Sequence, residues 1–508
     1  MTDNRLSAGR AGARLHSVSL LRRMGLAALA GGVGALAQAP FNLWPLGLVG
    51  LACLFALFHA TNGVKPAFWI GWAGGTGYFA VALNWIVEPF LVDIARYGWM
   101  APFALVLLAG GLALFWGAAS GLARRLGGSG LAWIAALTGA ELLRSYIFTG
   151  FPWALIGYTL SASPAAQYAA FIGPHGLTAF ALACAVSLWH LTKPTPVILR
   201  AAPTALCGAL LLAAIPLSHP VPPTPDAPVI RLIQPNAPQR EKWDPAYVST
   251  FFRRQIEFTA APSQTAPPAL IVWPETAIPW LMENADDALS IIAGTAGGTP
   301  VIVGLRRLDG PRLLNSLALL NPDGSPAAVY DKYHLVPFGE YMPLGDFLAR
   351  FGIHGLAAQE GHGYSPGPGP ALITLPGIGP ALPLICYEAV FPQDVNAAPS
   401  RPRLLLQVTN DAWFGRFSGP FQHLQQARMR AIEQGLPMVR VANTGVSAMI
   451  GPRGTVQHQI ALGTAGFVDA PLPPTLPPTL YSRTGDLPAL IVVLGALALL
   501  AYRRRFRH

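Results

Sequence analysis

Seven apolar stretches occupy residues 20–38, 44–61, 67–86, 100–123, 128–148, 166–190 and 201–217, and an eighth covers 487–502. A helix of about 20 residues crosses the roughly 30 Å hydrocarbon core of a bilayer. In that core no water is present to satisfy backbone N–H and C=O groups, so an apolar run without strand alternation has to be helical. Composition agrees, since 52% of residues are hydrophobic and 11% charged, whereas a soluble domain carries about a quarter charged. An ordinary globular mixture returns only between residues 228 and 470. The expected architecture is therefore a membrane α-helical bundle of about eight spans plus an extramembrane α/β domain. Residues 1–218 hold helices 1–7, residues 228–470 the globular domain, and residues 487–508 the last helix and a tail.

The net charge of +10 is placed at the ends of these runs. Arg5, Arg10, Arg14, Arg22 and Arg23 cluster at the N-terminus, Arg503, Arg504, Arg505 and Arg507 follow the last run, and Lys65, Arg124, Arg125, Lys193 and Arg200 flank others. Basic flanks mark cytoplasmic loops. Nucleic-acid binding requires one basic stripe on a folded surface, and none is legible. With the N-terminus inside, the seventh span exits outward and the eighth returns the arginine tail. The globular domain then lies on the periplasmic side of a bacterial inner membrane. The first segment has a second reading, a cleavable signal peptide ending at Ala37-Gln38-Ala39, although Pro40 makes a poor cleavage site. Pro-rich stretches at His219 to Pro228 and Pro471 to Pro478 read as semi-rigid linkers.

Within 228–470, β-rich runs recur at Val229 to Ile233, Ala269 to Trp273, Pro300 to Leu305, Leu313 to Leu320, Leu382 to Cys386, Leu404 to Val408 and Val439 to Ala442. A helical stretch, Phe421 to Gln434, lies among them, so layered sheets with helices are expected. Three of the four cysteines, Cys53, Cys184 and Cys207, fall inside apolar spans, which leaves Cys386 alone in the outer domain. Exported domains usually pair their cysteines. A solitary thiol at the end of the run Leu382-Pro383-Leu384-Ile385 is either an inert buried group or a nucleophile, and strand ends are where α/β folds place reactive groups. A thiol needs a base to take its proton and a cation to hold developing charge. Glu275, just past an apolar run in Trp273-Pro274-Glu275, is the candidate base, and Lys332, in Asp331-Lys332-Tyr333-His334, the candidate cation.

The order Trp273-Pro274-Glu275, Asp331-Lys332-Tyr333-His334, Ile385-Cys386-Tyr387-Glu388 resembles the nitrilase, or carbon–nitrogen hydrolase, superfamily. Closer still is a membrane branch, the apolipoprotein N-acyltransferase family. Lys332 to Tyr341, Asn410-Asp411-Ala412-Trp413-Phe414-Gly415, His423 to Arg430 and Phe148-Thr149-Gly150-Phe151-Pro152-Trp153 are similar to that family's motifs. The resemblance implies a nitrilase-like α-β-β-α sandwich with Glu275, Lys332 and Cys386 as catalytic triad. It implies that Cys386 attacks the ester of a phospholipid acyl chain, and that Lys332 and the backbone N–H of Tyr387 hold the oxyanion. The thioester then passes its acyl group to the α-amine of the N-terminal diacylglyceryl-cysteine of an apolipoprotein. Glu340 would position the lysine, and Tyr387, Glu388 and Trp243 fall where the family works near its site. No cofactor is implied, the histidines show no metal-ligand spacing, and a monomer is expected.

Leu344, Phe347, Leu348 and Phe351 recur at helical spacing, followed by Ile353 and Leu356. This face reads either as a lid dipping into the membrane or as a core helix, with Gly361 to Pro370 as its hinge. Gly363-Tyr364-Ser365-Pro366-Gly367 matches the G-x-S-x-G nucleophile elbow, but Pro366, Pro368 and Pro370 exclude the helix an elbow needs, so a loop is expected. Glu141 and Arg144, three apart in the fifth span, are expected to pair, and Gly71/Gly75 and Gly117/Gly121 to pack helices. Two other functions share part of this pattern. A tethered amidase would use the same triad with water as acceptor, and a transporter with an outer binding domain would not need Cys386.

Overall fold

The computed structural model describes residues 19–506 apart from 264, 344–349 and 351–362. The proposed lid face, Leu344 to Leu356, lies outside the described residues. The chain divides into two compact units. One comprises residues 1–87, 97–218 and 480–508, and the other residues 88–96 and 219–479.

The first unit is helical. Helices Leu20–Ala35, Trp44–His59, Val64–Ala82, Ala101–Arg125, Gly130–Tyr146, Ala169–His190, Val197–Ala213 and Leu487–Arg505 fall in the eight apolar stretches. Among the described residues four helical segments meet the length and composition needed to cross a bilayer: Ile94–Arg125, Pro164–His190, Val197–Ser218 and Leu487–Arg505. Small residues let these helices touch. A Cβ on Gly75 would press on Ala113, and one on Gly117 on the Phe68 ring at 3.0 Å, which is how small-residue spacing packs membrane helices. Glu141 and Arg144 do pair, at 2.8 Å, and both are buried. Glu141 also accepts from Trp116 Nε1 at 2.9 Å and from the Ile156 amide at 3.2 Å. Arg144 donates to the Trp153 carbonyl at 2.9 Å and to that of Phe151. A buried charge pair is tolerated where hydrogen bonds compensate it, and here all its polar atoms but Arg144 Nε are engaged locally.

The second unit is a sandwich of two six-stranded sheets, ordered β12-β1-β2-β3-β4-β5 and β11-β10-β9-β8-β7-β6. The strands of the first are β1 (Val229–Gln234), β2 (Leu270–Val272), β3 (Val301–Asp309), β4 (Arg312–Leu320), β5 (Pro326–Asp331) and β12 (Gly466–Pro471). Those of the second are β6 (Ile373–Leu375), β7 (Gly379–Ile385), β8 (Leu404–Thr409), β9 (Met438–Ala442), β10 (Ser447–Ile450) and β11 (Val456–Ile460). In each sheet three strands run parallel, β1-β2-β3 and β7-β8-β9, with antiparallel strands outside them. All seven expected strands are present; six are the buried parallel strands, which read as unbroken apolar runs, and the seventh, β4, is antiparallel but buried along most of its length. The five that went unread, β5, β6 and β10 to β12, are shorter or lie towards the sheet edges, where polar residues interrupt the pattern.

Helices Val248–Ala260 and Asp286–Ala296 cover the first sheet, closing a core of Ile271, Trp273, Leu289, Ile292, Val301 and Val303. Helix Gly419–Gln434 covers the second through Ala427 and Ala431, against Leu382, Leu384 and Leu405. Gln234 of β1 joins the sheets by accepting from the Ser447 amide and hydroxyl at 3.0 and 2.6 Å. The layers are thus α-β-β-α, as expected.

Arg231 ties β1 to β12 and to the helix above them. It binds Asp469 bidentately at 2.7 and 2.8 Å and donates to the carbonyls of Phe258, Thr259 and Ala261, where helix Val248–Ala260 ends. Both charges are buried. Arg231→Met leaves Asp469 buried without a counter-charge and uncaps the helix. The expected destabilisation is about 3–5 kcal/mol, read as a fall in the urea midpoint of the solubilised protein. A change under about 1 kcal/mol would contradict this account.

Candidate active site

Glu275, Lys332 and Cys386 each stand just past the C-terminal end of a strand: β2, β5 and β7 respectively. Their side chains converge in a nearly closed site, with Glu275 and Cys386 each 6% exposed and Lys332 1%. Lys332 Nζ lies 2.9 and 2.8 Å from the two oxygens of Glu340 and 3.8 Å from Glu275 Oε1. Burial alone would lower the Lys332 ammonium, but Glu340, Glu275 and Cys386 outweigh it and hold the lysine above its ordinary range. The lysine is therefore a permanent cation here.

Glu275 is aimed by neutral donors. Asn315 Nδ2 donates to Oε1 at 2.7 Å and also reaches Glu340 at 3.2 Å, while the Asn410 amide donates to Oε2 at 2.7 Å. Asn315 lies on β4, and its carbonyl accepts from the Lys332 amide at 2.8 Å. One residue thus sets both carboxylates and the lysine backbone. The turn after Glu275 is held tightly. Thr276 has φ +46°, a rare conformation for a β-branched residue, and a Cβ on Gly304 of β3 would strike Glu275 Cα and the Thr276 amide at 2.7 and 2.8 Å. Lys242, which is buried, donates to the Glu275 carbonyl at 3.2 Å and to Thr276 Oγ1 at 2.8 Å.

Cys386 has φ +52° and opens a one-turn 3₁₀ helix, Cys386–Val390. A left-handed non-glycine residue costs of order 1–3 kcal/mol and persists only where its surroundings over-determine it. Here they do. Glu388 Oε2 accepts from the Ile385 amide at 2.6 Å, and Oε1 accepts from the Tyr330 hydroxyl and the amides of Tyr333 and His334 at 2.8, 2.7 and 3.3 Å. Glu388 therefore clamps the cysteine turn to the lysine segment, and burial pushes its carboxyl up to about 7 against these donors.

Behind the turn, Gln407 Nε2 donates to the Cys386 carbonyl at 3.1 Å. Arg440 binds Gln407 Oε1 at 2.6 Å and Asp411 Oδ2 at 2.5 Å, and His423 Nδ1 lies 2.8 Å from Asp411 Oδ1. Because Arg440 fixes the Gln407 oxygen, the Gln407 amide faces His423 Nε2 at 3.0 Å. His423 Nε2 also lies 3.0 Å from the Cys386 carbonyl, and burial, followed by Arg440, holds the histidine below its ordinary range. Burial and then Glu275 push the Cys386 thiol well above its ordinary value, although Lys332 pulls the other way. At neutral pH Cys386 is a thiol, so to act as a nucleophile it would need a base to take its proton.

Tyr387 and Trp243, the other candidate site residues, are both among the described residues. Tyr387 is buried, its ring 5.7 Å from His334 and 4.8 Å from Phe391. Trp243 is 39% exposed, with the Lys242 and Arg306 cations 5.0 and 4.9 Å from its ring. The G-x-S-x-G segment forms no helix where it is described, and its Gly367 amide binds the Lys332 carbonyl at 2.8 Å. Asn315, Asn410, Gln407 and Lys242 went unread as site residues. Neutral or lone polar residues inside apolar strands and turns carry a weak signal, and only their hydrogen bonds reveal them. No group of histidine, cysteine and carboxylates fit to hold a metal occurs among the described residues.

Family models match in two blocks, an apolipoprotein N-acyltransferase N-terminal domain over residues 30–187 and a carbon–nitrogen hydrolase domain over residues 231–475. The chain is 40% identical to an apolipoprotein N-acyltransferase of Bradyrhizobium diazoefficiens, covering 95% of both chains. It is 37% identical to one from Caulobacter vibrioides, covering 93% of both. Among solved structures, an amidase from Nesterenkonia sp. AN1 aligns over 49% of this chain and 93% of that one, with 20% identity and a TM-score of 0.36.

Because the thiol is raised, its alkylation by neutral iodoacetamide should still be accelerating at about pH 10, beyond the ordinary thiol range near 8.5. The rate is read by mass spectrometry of the Cys386 peptide in the wild-type protein, which keeps Glu275 beside the thiol. A plateau below about pH 8.5 would overturn the account of the thiol.

Proposed function

The chain belongs to the apolipoprotein N-acyltransferase family, and we propose that it performs that family's acyl transfer with Cys386 as nucleophile, Glu275 as base and Lys332 as the cation of the oxyanion site. The enzyme is an acyltransferase of lipoprotein maturation, acting on membrane lipid and lipoprotein. The observation that carries the residue assignment is the convergence of three strand ends on one buried site. There an uncharged thiol, a carboxylate and a permanent ammonium meet.

In the first half-reaction Cys386 Sγ attacks the ester carbonyl carbon of a phospholipid, and its proton moves to Glu275. The oxyanion faces the Lys332 ammonium and the Tyr387 amide. The carbon–oxygen bond breaks, Glu275 returns the proton to the departing alkoxide, and a lysophospholipid leaves a thioester on Cys386. In the second, the α-amine of the diacylglyceryl-cysteine attacks the thioester. Glu275 takes the amine proton, the amide forms, and the thiolate is released and reprotonated. Glu340 shares Lys332 and holds its charge in place, Glu388 fixes the turn that carries Cys386 and Tyr387, and Trp243 borders the base.

The setting proposed for this chemistry is the bacterial inner membrane, crossed by about eight helices, with residues 228–470 on the periplasmic side. Its support is the placement of arginine and lysine at one set of helix ends. The working unit is a monomer without cofactor or metal, and it contacts no nucleic acid.

Incubation of the solubilised protein with phospholipid should add one acyl mass to Cys386 and release lysophospholipid. Cys386→Ala should give no adduct and fail to complement a strain depleted of lipoprotein N-acylation. Glu275→Gln should slow acylation by roughly 10²–10⁴-fold. Absence of the wild-type adduct together with ready hydrolysis of small amides would replace the acyltransferase assignment with an amidase.

A further inference from the structure

Successive residues of β3 face opposite sides of its sheet, and Arg306 and Arg307 meet very different surroundings. Arg307 is held bidentately by Asp331 at 2.7 and 2.6 Å. Arg306 pairs with no carboxylate among the described residues. Among the described residues its one side-chain hydrogen bond is from Nη2 to the Pro279 carbonyl at 2.8 Å, and its Nε is buried without a partner. The buried Nε costs free energy, and the donors that remain are open to an incoming anion.

Its position says which anion. Arg306 is directly opposite Asn315 in the β3–β4 ladder, and opposed residues share a sheet face with Cβ atoms about 4.5–5.5 Å apart. Asn315 is the residue that aims Glu275 and Glu340. Arg306 therefore stands one side chain away from the proposed base. The Trp243 ring lies 4.9 Å from its guanidinium. Tyr364, within electrostatic reach of Arg306, Glu340, Glu275 and Lys332, closes the same corner. An ester carbonyl delivered to Cys386 by a glycerophospholipid brings a phosphate only a glycerol backbone away, and the fork of a guanidinium suits phosphate oxygens.

We propose that Arg306, flanked by Trp243 and Tyr364, is the subsite that holds the phosphate of the phospholipid acyl donor beside Cys386. The inference rests on the acyl-transfer reading given above and adds a specificity element to it. The subsite discriminates donors by their phosphodiester rather than by the chemistry of the ester. It also holds the lysophospholipid until the alkoxide has been protonated.

The test compares wild type, Arg306→Gln and Arg306→Lys in one detergent. Acylation of Cys386 is followed by mass spectrometry at subsaturating donor, with phosphatidylethanolamine and, separately, with p-nitrophenyl palmitate, which has an acyl ester but no phosphate. Losing a charged hydrogen-bond partner predicts a fall of about 10- to 100-fold with the phospholipid for Arg306→Gln, partial recovery in Arg306→Lys, and less than about a threefold change with the phosphate-free ester. Equal losses with both donors would make Arg306 a structural support of the Asn315 corner, and no loss with either would remove it from the site. Slowing of both donors by excess inorganic phosphate in wild type, absent from Arg306→Gln, would assign the subsite to the free anion instead of the lipid. A wild type that acquires no adduct from either donor fails one step earlier, at Cys386 as nucleophile.

Discussion

One buried ammonium organises the catalytic corner. Lys332 is almost entirely removed from solvent and lies against Glu340 and, at 3.8 Å, Glu275. Two carboxylates in so small a volume would repel each other and be driven to neutralise. The lysine prevents that, and the carboxylates in turn keep the lysine charged despite its burial. Asn315 spans both acids, and its carbonyl holds the Lys332 amide. Removing any one of these groups strands a charge in a dry pocket, so the cluster stands or falls as a unit. Such coupling allows a base, a cation and a thiol to be packed together without solvent.

Those side chains also require a strained backbone. Thr276 and Cys386 both adopt left-handed conformations, at the two turns that face each other across the site. Each is restrained by buried polar groups: Lys242 beneath Thr276, and Gln407, Glu388 and the Arg440–Asp411–His423 group around Cys386. A positive φ at the end of β7 turns the chain sharply into the 3₁₀ helix, so that Cys386 and the amide that follows it belong to one turn. The strain is thus part of how the nucleophile and an oxyanion donor come to be adjacent.

The sequence showed a good deal of this, and for identifiable reasons. Long apolar runs have one backbone solution in lipid, so the helices of the first unit were legible. Unbroken runs such as Leu404 to Val408 are what buried parallel strands require. Glu275, Lys332 and Cys386 stood out by their combination in order, since a lone Lys or Glu at a strand end is more often a solvated surface charge. The residues that aim them were not legible, because Asn315 sits inside β4 among leucines and acts through its register with Arg306 on one side and its reach to two acids on the other. Register depends on which strands pair, and no local pattern states that. Arg306 and Arg307 look identical in sequence, and only the alternation of faces on β3 separates a paired charge from one left open.

Burial also bears on why acyl transfer is the outcome here rather than hydrolysis. A thioester on Cys386 would sit in a site where the nucleophile, base and cation are each at most 6% exposed. Bulk water therefore reaches it poorly. An amine is intrinsically more nucleophilic and needs the base only to collect its proton during attack. Glu275 meets that requirement if it has already passed the thiol proton to the departing alkoxide. The order of proton movements then follows from the electrostatics. The raised thiol makes Glu275 necessary in the first step, and loss of the first product returns Glu275 to its anionic form for the second. In the proposed scheme the same dry, charge-paired corner would serve both halves of a ping-pong reaction.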